Sequence, residues 1–183
     1  MTAQDTVSES DVGPPDEEAV QLAGSFDAFY SNEFPRMVDL AYALSGSRIA
    51  AEDLAQEAML AAHTKWDQVG VLDRPGAWVR RVVINKAASL YQRRAAELRA
   101  LARLAPLRGS IFLSIDSETA HVWSEVRKLP RRQAQVVALF YLDQLSINEI
   151  AHVLELAEGT VKAHLHQARE TLAPMLASQG EPS

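Results

Sequence analysis

The side chains best suited to act on another molecule fall in three groups. Lys162, His164, His166, Gln167 and Arg169 share a stretch whose other positions, Val161, Leu165, Ala168 and Leu172, recur at helical spacing. Polar and basic types presented from one side of a helix can reach phosphates and base edges in a major groove. A second group lies between Arg74 and Arg103, where Arg74, Arg80, Arg81, Lys86, Arg93, Arg94, Arg99 and Arg103 stand against Glu97 alone, an electrostatic footprint for phosphate. The third, Asp53, Gln56, Glu57 and Leu60, makes a narrow acidic and polar stripe ending in an apolar residue. By its pattern alone that stripe reads as a solvated helix face, because no neighbouring histidine gives its carboxylates acid-base work. His164 and His166 are two residues apart and point to different sides of a helix. The absence of cysteine excludes a disulfide framework, a thiolate zinc site and a cysteine nucleophile. Catalysis, a metal and a cofactor are not expected.

The elements that must hold the first group read as a helix-turn-helix. Ser146 and Glu149 form a capping box, so a helix starts at Ile147, with Ile147, Ile150, Ala151 and Leu154 as its apolar stripe. Ala157-Glu158-Gly159-Thr160 then leads into the second helix. Ahead of both, Arg131 to Leu142 is apolar almost all round, as suits a helix at the back of a small bundle. Periodicity alone leaves an ordinary helical hairpin as an alternative to a DNA reader.

Upstream, Phe26, Phe29 and Tyr30 followed by Met37, Val38, Ala41 and Leu44 predict a helical segment that kinks or restarts at Pro35. Ser47 caps a helix running to about Trp66, with Ala51, Leu54, Ala55, Ala58, Met59 and Ala62 inward. Residues 67–74 read as a loop, and Pro75 opens a long helix through Trp78, Val79, Val82, Val83, Ala87 and Leu90. Trp78 is expected as a core anchor, and Asn85 in mid-helix as a donor to a neighbouring loop or helix end. Between Leu104 and Ser117 the pattern fails at Pro106, Gly109, Ser110, Ser114 and Asp116, although Ile111-Phe112-Leu113 is apolar enough to pack on something. Helicity resumes near Glu118 with Val122, Trp123 and Val126 inward.

The 183 residues, with 48% hydrophobic content, make an all-α fold of two small helical domains joined by a flexible linker, the C-terminal one a helix-turn-helix. The expected division is a disordered acidic tail over 1–20, a first domain over 21–104, a linker over 105–118, a second domain over 119–177 and a tail over 178–183. The net charge of −6 comes from the tail, where Asp5, Glu9, Asp11, Asp16, Glu17 and Glu18 face no Lys or Arg. No apolar run approaches membrane-spanning length and the N-terminus has no export signal, so a cytoplasmic protein without membrane insertion is expected.

Several local runs resemble those of bacterial sigma factors of the extracytoplasmic-function (ECF) group, in the sigma-70 family. Ala51-Glu52-Asp53-Leu54-Ala55-Gln56-Glu57 is similar to the A-E-D-hydrophobic-x-Q-E run of the family's second region, and Pro75 with Trp78, Val79, Val82, Val83 and Asn85 to its P-x-x-W-L-x-x-I-A-x-N run. Leu129-Pro130 with Gln133, Ser146 with Glu149-Ile150-Ala151, Gly159-Thr160-Val161-Lys162 and Ala168-Arg169 resemble its fourth region. The resemblance covers about Phe26 to Leu172. It implies a transcription initiation factor that binds core RNA polymerase through the beta-prime clamp helices and the beta flap and directs it to promoter DNA. An anti-sigma protein is the family's usual controller. Asp53, Gln56, Glu57 and Leu60 would then be polymerase contacts. Asp73, Arg74, Trp78, Arg80, Arg81, Asn85 and Lys86 would capture an unstacked base and hold the opened strand of the minus-ten element. Thr160, Lys162, Ala163, His164, His166, Gln167 and Arg169 would face the minus-thirty-five element.

Some positions depart from the family. Ala157 stands where a Ser or Thr usually caps the recognition helix, a loss of about 1 kcal/mol unless Glu158 or a phosphate substitutes. Ala163, His164 and Gln167 stand where Ser and Arg are common, which implies weaker and less salt-dependent docking. Ser89 replaces a common Asp, and His63 a common aromatic. No further domain follows Leu172, so no built-in sensor is expected. The alternative is an autonomous helix-turn-helix regulator, which would bind a symmetric site without polymerase. Against it, the basic block lies in the first domain, away from the recognition helix.

Overall fold

The chain's helices begin where short hydroxyl side chains can take an orphan amide. In the computed structural model, which describes residues 25–102 and 117–177, the Ser25 hydroxyl accepts from Ala28 N at 3.2 Å and starts α1 (Phe26–Ser45). Gly46, at φ 72°, ends α1 by donating its N–H to Tyr42 O. Ser47 then caps α2 (Arg48–Thr64), and a single-turn α3 (Trp66–Val69) follows. Pro75 opens α4 (Pro75–Ala102). The second domain comprises α5 (Ser117–Val126), α6 (Arg131–Val137) continuing as a π-helical turn (Ala138–Leu142), α7 (Ile147–Leu154) and α8 (Glu158–Ala177). No strand occurs among the described residues.

Three helices build the first core. Met37, Leu40 and Ala41 of α1 meet Ala51, Ala55, Ala58, Met59 and Ala62 of α2 and Val79, Val83 and Ile84 of α4, all buried. The alanine-rich face of α2 lets its neighbours approach closely, and the larger side chains opposite fill the space. In the second core Trp123, Val126, Val136, Leu139, Ile150, Val153, Val161, Leu165 and Ala168 close together. Asp143, which follows the π turn, and the C-terminal end of α7 pack against α1 and α4, so the two domains touch directly.

Several local expectations need correction. Helix α1 does not restart at Pro35: it is a single helix over Phe26–Ser45 with Pro35 inside it. Pro35 and Ser31, whose carbonyl loses its partner, are both exposed, so water can satisfy it while buried Met37, Val38 and Leu40 secure the helix beyond. Helix α2 stops at Thr64 rather than Trp66, and part of the supposed loop is α3, where Trp66 packs on Phe26 and Phe29 with ring centroids 5.3 and 5.0 Å apart. Val122 is exposed, and the inward side of α5 is carried by Trp123, Glu125 and Val126. Within Arg131 to Leu142, expected to be apolar almost all round, Val136, Val137, Ala138 and Leu139 are buried and Tyr141 is exposed. Asn85 is also exposed and caps no neighbour; its carbonyl accepts from the Ser89 hydroxyl. The expected tails, 1–20 and 178–183, the apolar Ile111-Phe112-Leu113 and almost all of the linker lie outside the described residues.

The capping box forms as expected: Ser146 Oγ accepts from Glu149 N at 3.3 Å, and Ser146 N donates to Glu149 Oε2 at 2.9 Å. The Ser146 hydroxyl and amide hold the Glu149 carboxyl below its ordinary value of 4.5. Its contribution is therefore complete above about that pH and is lost as pH falls through the lower folded value. Ser146→Ala is expected to cost about 1 kcal/mol in denaturant unfolding at pH 7, with the gap to wild type narrowing below the ordinary glutamate range.

Candidate polymerase and nucleic-acid interfaces

The acidic stripe lies on the outward side of α2. Asp53, Gln56, Glu57 and Leu60 are all exposed there, Leu60 by 65%, while Leu54, Ala55, Ala58 and Met59 turn inward. Ile49, 76% exposed, continues the same face one turn earlier, so two apolar residues flank the carboxylates. The sequence reading missed Ile49, although its spacing from Asp53 carried the signal. Glu57 also pairs with Lys86 of α4 at 2.5 Å, which joins the stripe to the basic side of the first domain.

The residues expected at the minus-ten element separate into two environments. Asp73, Arg74, Trp78 and Arg81 line one wall of a cleft of about 850 Å³, whose other wall is His152, Glu155 and Glu158 of the second domain. Trp78 is half-buried along this wall, not a fully enclosed core anchor. Arg80 is only 6% exposed. Its Nε and Nη2 donate to Asp143 Oδ2 and Oδ1 at 2.6 and 3.2 Å, and its Nη1 pairs with Glu33 Oε2 at 2.9 Å. Burial by itself lowers the pKa of this guanidinium, but Asp143 and then Glu33 outweigh it and raise it above the ordinary arginine value. Arg81 donates to the carbonyls of His152 and Val153 at 2.8 and 3.0 Å and pairs with Glu155, closing the C-terminal end of α7. Asn85 and Lys86 lie further along α4, away from the cleft lining.

On α8, Thr160, Lys162, Ala163, His166 and Gln167 are exposed together, while Val161, Leu165 and Ala168 hold the helix to its bundle. His164 is half-buried with Nδ1 enclosed. Gln167 accepts from Gln133 at 3.2 Å. Arg169, also exposed, donates to the Tyr141 hydroxyl at 2.8 Å and lies over Phe140 and Tyr141 of the π turn. Glu158 stands in the first turn of α8 and accepts from Asn148 at 3.1 Å, so a carboxylate faces the helix dipole where Ala157 offers no side-chain cap. His63 packs edge-on against Phe26 at 4.7 Å and serves as the ring that its position calls for.

Glu33, Gly76, Arg127 and Asp143 were not picked out by sequence reasoning. Arg127 donates to Ala43 O at 3.2 Å across the domain boundary, and burial lowers its pKa. A Cβ on Gly76 would sit 2.5 Å from Arg80 Nη1 and 3.1 Å from Glu33 Oε2.

Among the described residues the chain is a two-domain helical protein whose second domain is a helix-turn-helix, the architecture of a class of DNA-binding transcription proteins. The particular family follows from comparison with known proteins. Residues 29–97 match the model described as Sigma-70 region 2, and residues 122–172 match Sigma-70, region 4. The chain is 30% identical over 162 residues to the ECF RNA polymerase sigma factor SigM of Mycobacterium tuberculosis, covering 86% of this chain and 82% of the relative. It is 26% identical over 155 residues to the ECF RNA polymerase sigma factor SigW of Bacillus subtilis, covering 77% and 83%. Among solved structures it resembles the sigma factor RpoE in complex with the anti-sigma factor NepR from Bartonella quintana, with a TM-score of 0.68 and 22% identity over 84% of this chain and 98% of that one. The chain belongs to the ECF group of the sigma-70 family.

Gly76→Ala is expected to lower unfolding stability by about 1–3 kcal/mol, because the new methyl must displace a paired, buried guanidinium. Gly159→Ala, with nothing within 4 Å of the new Cβ, serves as the control and should be neutral or slightly stabilising in the same denaturant titration.

Proposed function

We propose that this sigma factor binds core RNA polymerase through the outward face of α2, and that its two domains then select a promoter and help open it. The observation that carries this reading is the exposed stripe of Asp53, Gln56, Glu57 and Leu60, extended by Ile49. Carboxylates interleaved with large exposed aliphatics at one helical face give a partner both charge complementarity and apolar area. The clamp helices of the beta-prime subunit are the partner for this face, and the beta flap is the partner for the second domain.

At the minus-ten element, Asp73, Arg74 and Trp78 stand at the mouth of the first domain, where an unstacked base can be held. Arg80, Arg81, Asn85 and Lys86 follow along α4 and supply donors to the phosphates of the opened strand. At the minus-thirty-five element, Thr160, Lys162, Ala163, His166 and Gln167 face the major groove, with His164 and Arg169 at the margin. His164 and Gln167 offer hydrogen bonds without permanent charge, so recognition there depends more on base edges than on phosphate attraction. The protein performs no chemistry itself. It works in the cytoplasm with the polymerase, and an anti-sigma protein is its controller; the similar RpoE was solved with one.

Asp53→Lys with Glu57→Lys is expected to weaken binding to purified core polymerase at least tenfold, about 1.4 kcal/mol, with helical content unchanged. Wild-type failure to bind the core at all, with duplex DNA binding intact, would favour an autonomous regulator. Lys162→Ala is expected to reduce the slope of log affinity against log salt for promoter duplex by about one.

A further inference from the structure

Gln133 stands at the third position of α6, where a glutamine ordinarily reaches back to accept from the backbone N–H of the residue that caps the helix. Here that residue is Pro130, which has no N–H to give. The Gln133 side chain reaches across to α8 instead, and its Nε2 donates to Gln167 Oε1 at 3.2 Å. Its own Oε1 is enclosed and meets no donor among the described residues.

That unmet oxygen decides which way the pair runs. With both amides turned over, Gln133 would accept from Gln167, and its Nε2 would carry two N–H groups into the enclosed space that now holds one bare oxygen. An enclosed carbonyl short of a donor is the more readily tolerated of the two. Gln133 is thus the donor and Gln167 the acceptor. The oxygen of Gln167 is committed to α6, while its Nε2 has no partner among the described residues. Gln167 is exposed on the side of α8 that also carries exposed Thr160 and Ala163.

We propose that Gln133 is a positioning residue for promoter choice: it holds the Gln167 amide as a hydrogen-bond donor toward the major groove, so that the facing base of the minus-thirty-five element is one whose edge accepts, guanine first and thymine after it. The inference rests on the minus-thirty-five role given to α8 above. Guanine offers N7 and O6 and thymine offers O4, whereas cytosine offers only the N4 donor. Adenine is ordinarily read by a glutamine through both amide atoms at once. Here the oxygen is held on α6.

Exchanging one group at a distance from the DNA tests this. Gln133→Glu puts an acceptor where the donor stood, so Gln167 must turn its nitrogen back to α6 and its oxygen toward the groove. The added charge repels phosphates, but it does so for every sequence alike, so the readout is the ratio of bases and not the affinity. Core polymerase loaded with the chain is used to select from a pool of sequence-randomised duplex DNA, and the retained fragments are sequenced. Gln167→Ala locates the position that Gln167 reads. Wild type is expected to enrich guanine over cytosine there at least about fivefold, the scale of one hydrogen bond made against one left unmade. Gln133→Glu is expected to invert that preference toward cytosine or adenine while the other positions stay as they were. Should circular dichroism show that Gln133→Glu unfolds the chain, Gln133→Ala carries the test and is expected to leave the position without preference. Cytosine or adenine favoured by wild type at that position, or a base ratio that neither Gln133 variant moves, overturns the proposal and leaves the role of α8 standing. A selection that yields no position dependent on Gln167 removes that residue from the minus-thirty-five contact, and the proposal falls with it.

Discussion

The guanidinium of Arg80 is the point at which the two domains are committed to one another. A charge taken out of water is tolerated only when it is paired and hydrogen-bonded, and the effective penalty for each ion is several kcal/mol otherwise. Here one carboxylate comes from α1 and the other from the turn after the π segment, so the full set of partners is present only while both domains are in place. Gly76 lets the backbone of α4 pass close enough for this to happen. Directional pairing of a planar guanidinium fixes orientation in a way that apolar contact does not. The same feature makes the contact reversible, since each of its members is soluble once separated.

Local physics made much of the chain legible. The capping box at Ser146 and Glu149 involves atoms three residues apart, and Val161, Leu165, Ala168 and Leu172 announce a buried face by spacing alone. The alanine face of α2 was equally plain. The meaning of its opposite face was not, because a solvated stripe and a docking stripe share one pattern; the proposal that it is an interface rests on the family resemblance and not on periodicity. Lengthy separation hid the rest. Arg80 and Asp143 are 63 residues apart, and Arg81 and Glu155 are 74 apart, so no local rule could join them. That α1 continues through Pro35 depends on the exposure of Pro35 and Ser31, which is a tertiary property. Trp66–Val69 became helical for a similar reason, since Phe26 and Phe29 hold Trp66 in place.

The departures from the family pattern fall into two kinds. His63 and Ala157 are absorbed by their surroundings, the first by an edge-on aromatic contact and the second by the Glu158 carboxylate in the first turn. Ala163, His164 and Gln167 are different, because they change what the recognition helix can offer to DNA. Arg169 and Lys162 are both exposed permanent charges among the residues assigned to the minus-thirty-five element, the first hydrogen-bonded to Tyr141 and the second 4.0 Å from Glu158. On the function proposed above, affinity for that element would be modest, and promoter choice would rely on both domains being engaged together.

Transcription start sites give the most direct reading of that picture. Core polymerase from the same source would be supplied with fragmented genomic DNA, with and without the purified chain, and the RNA 5′ ends mapped. A sigma factor acting through both domains produces new start sites preceded by two shared sequence elements at constant spacing. Identical start-site maps in the two reactions, from a polymerase that demonstrably binds the chain, would contradict it.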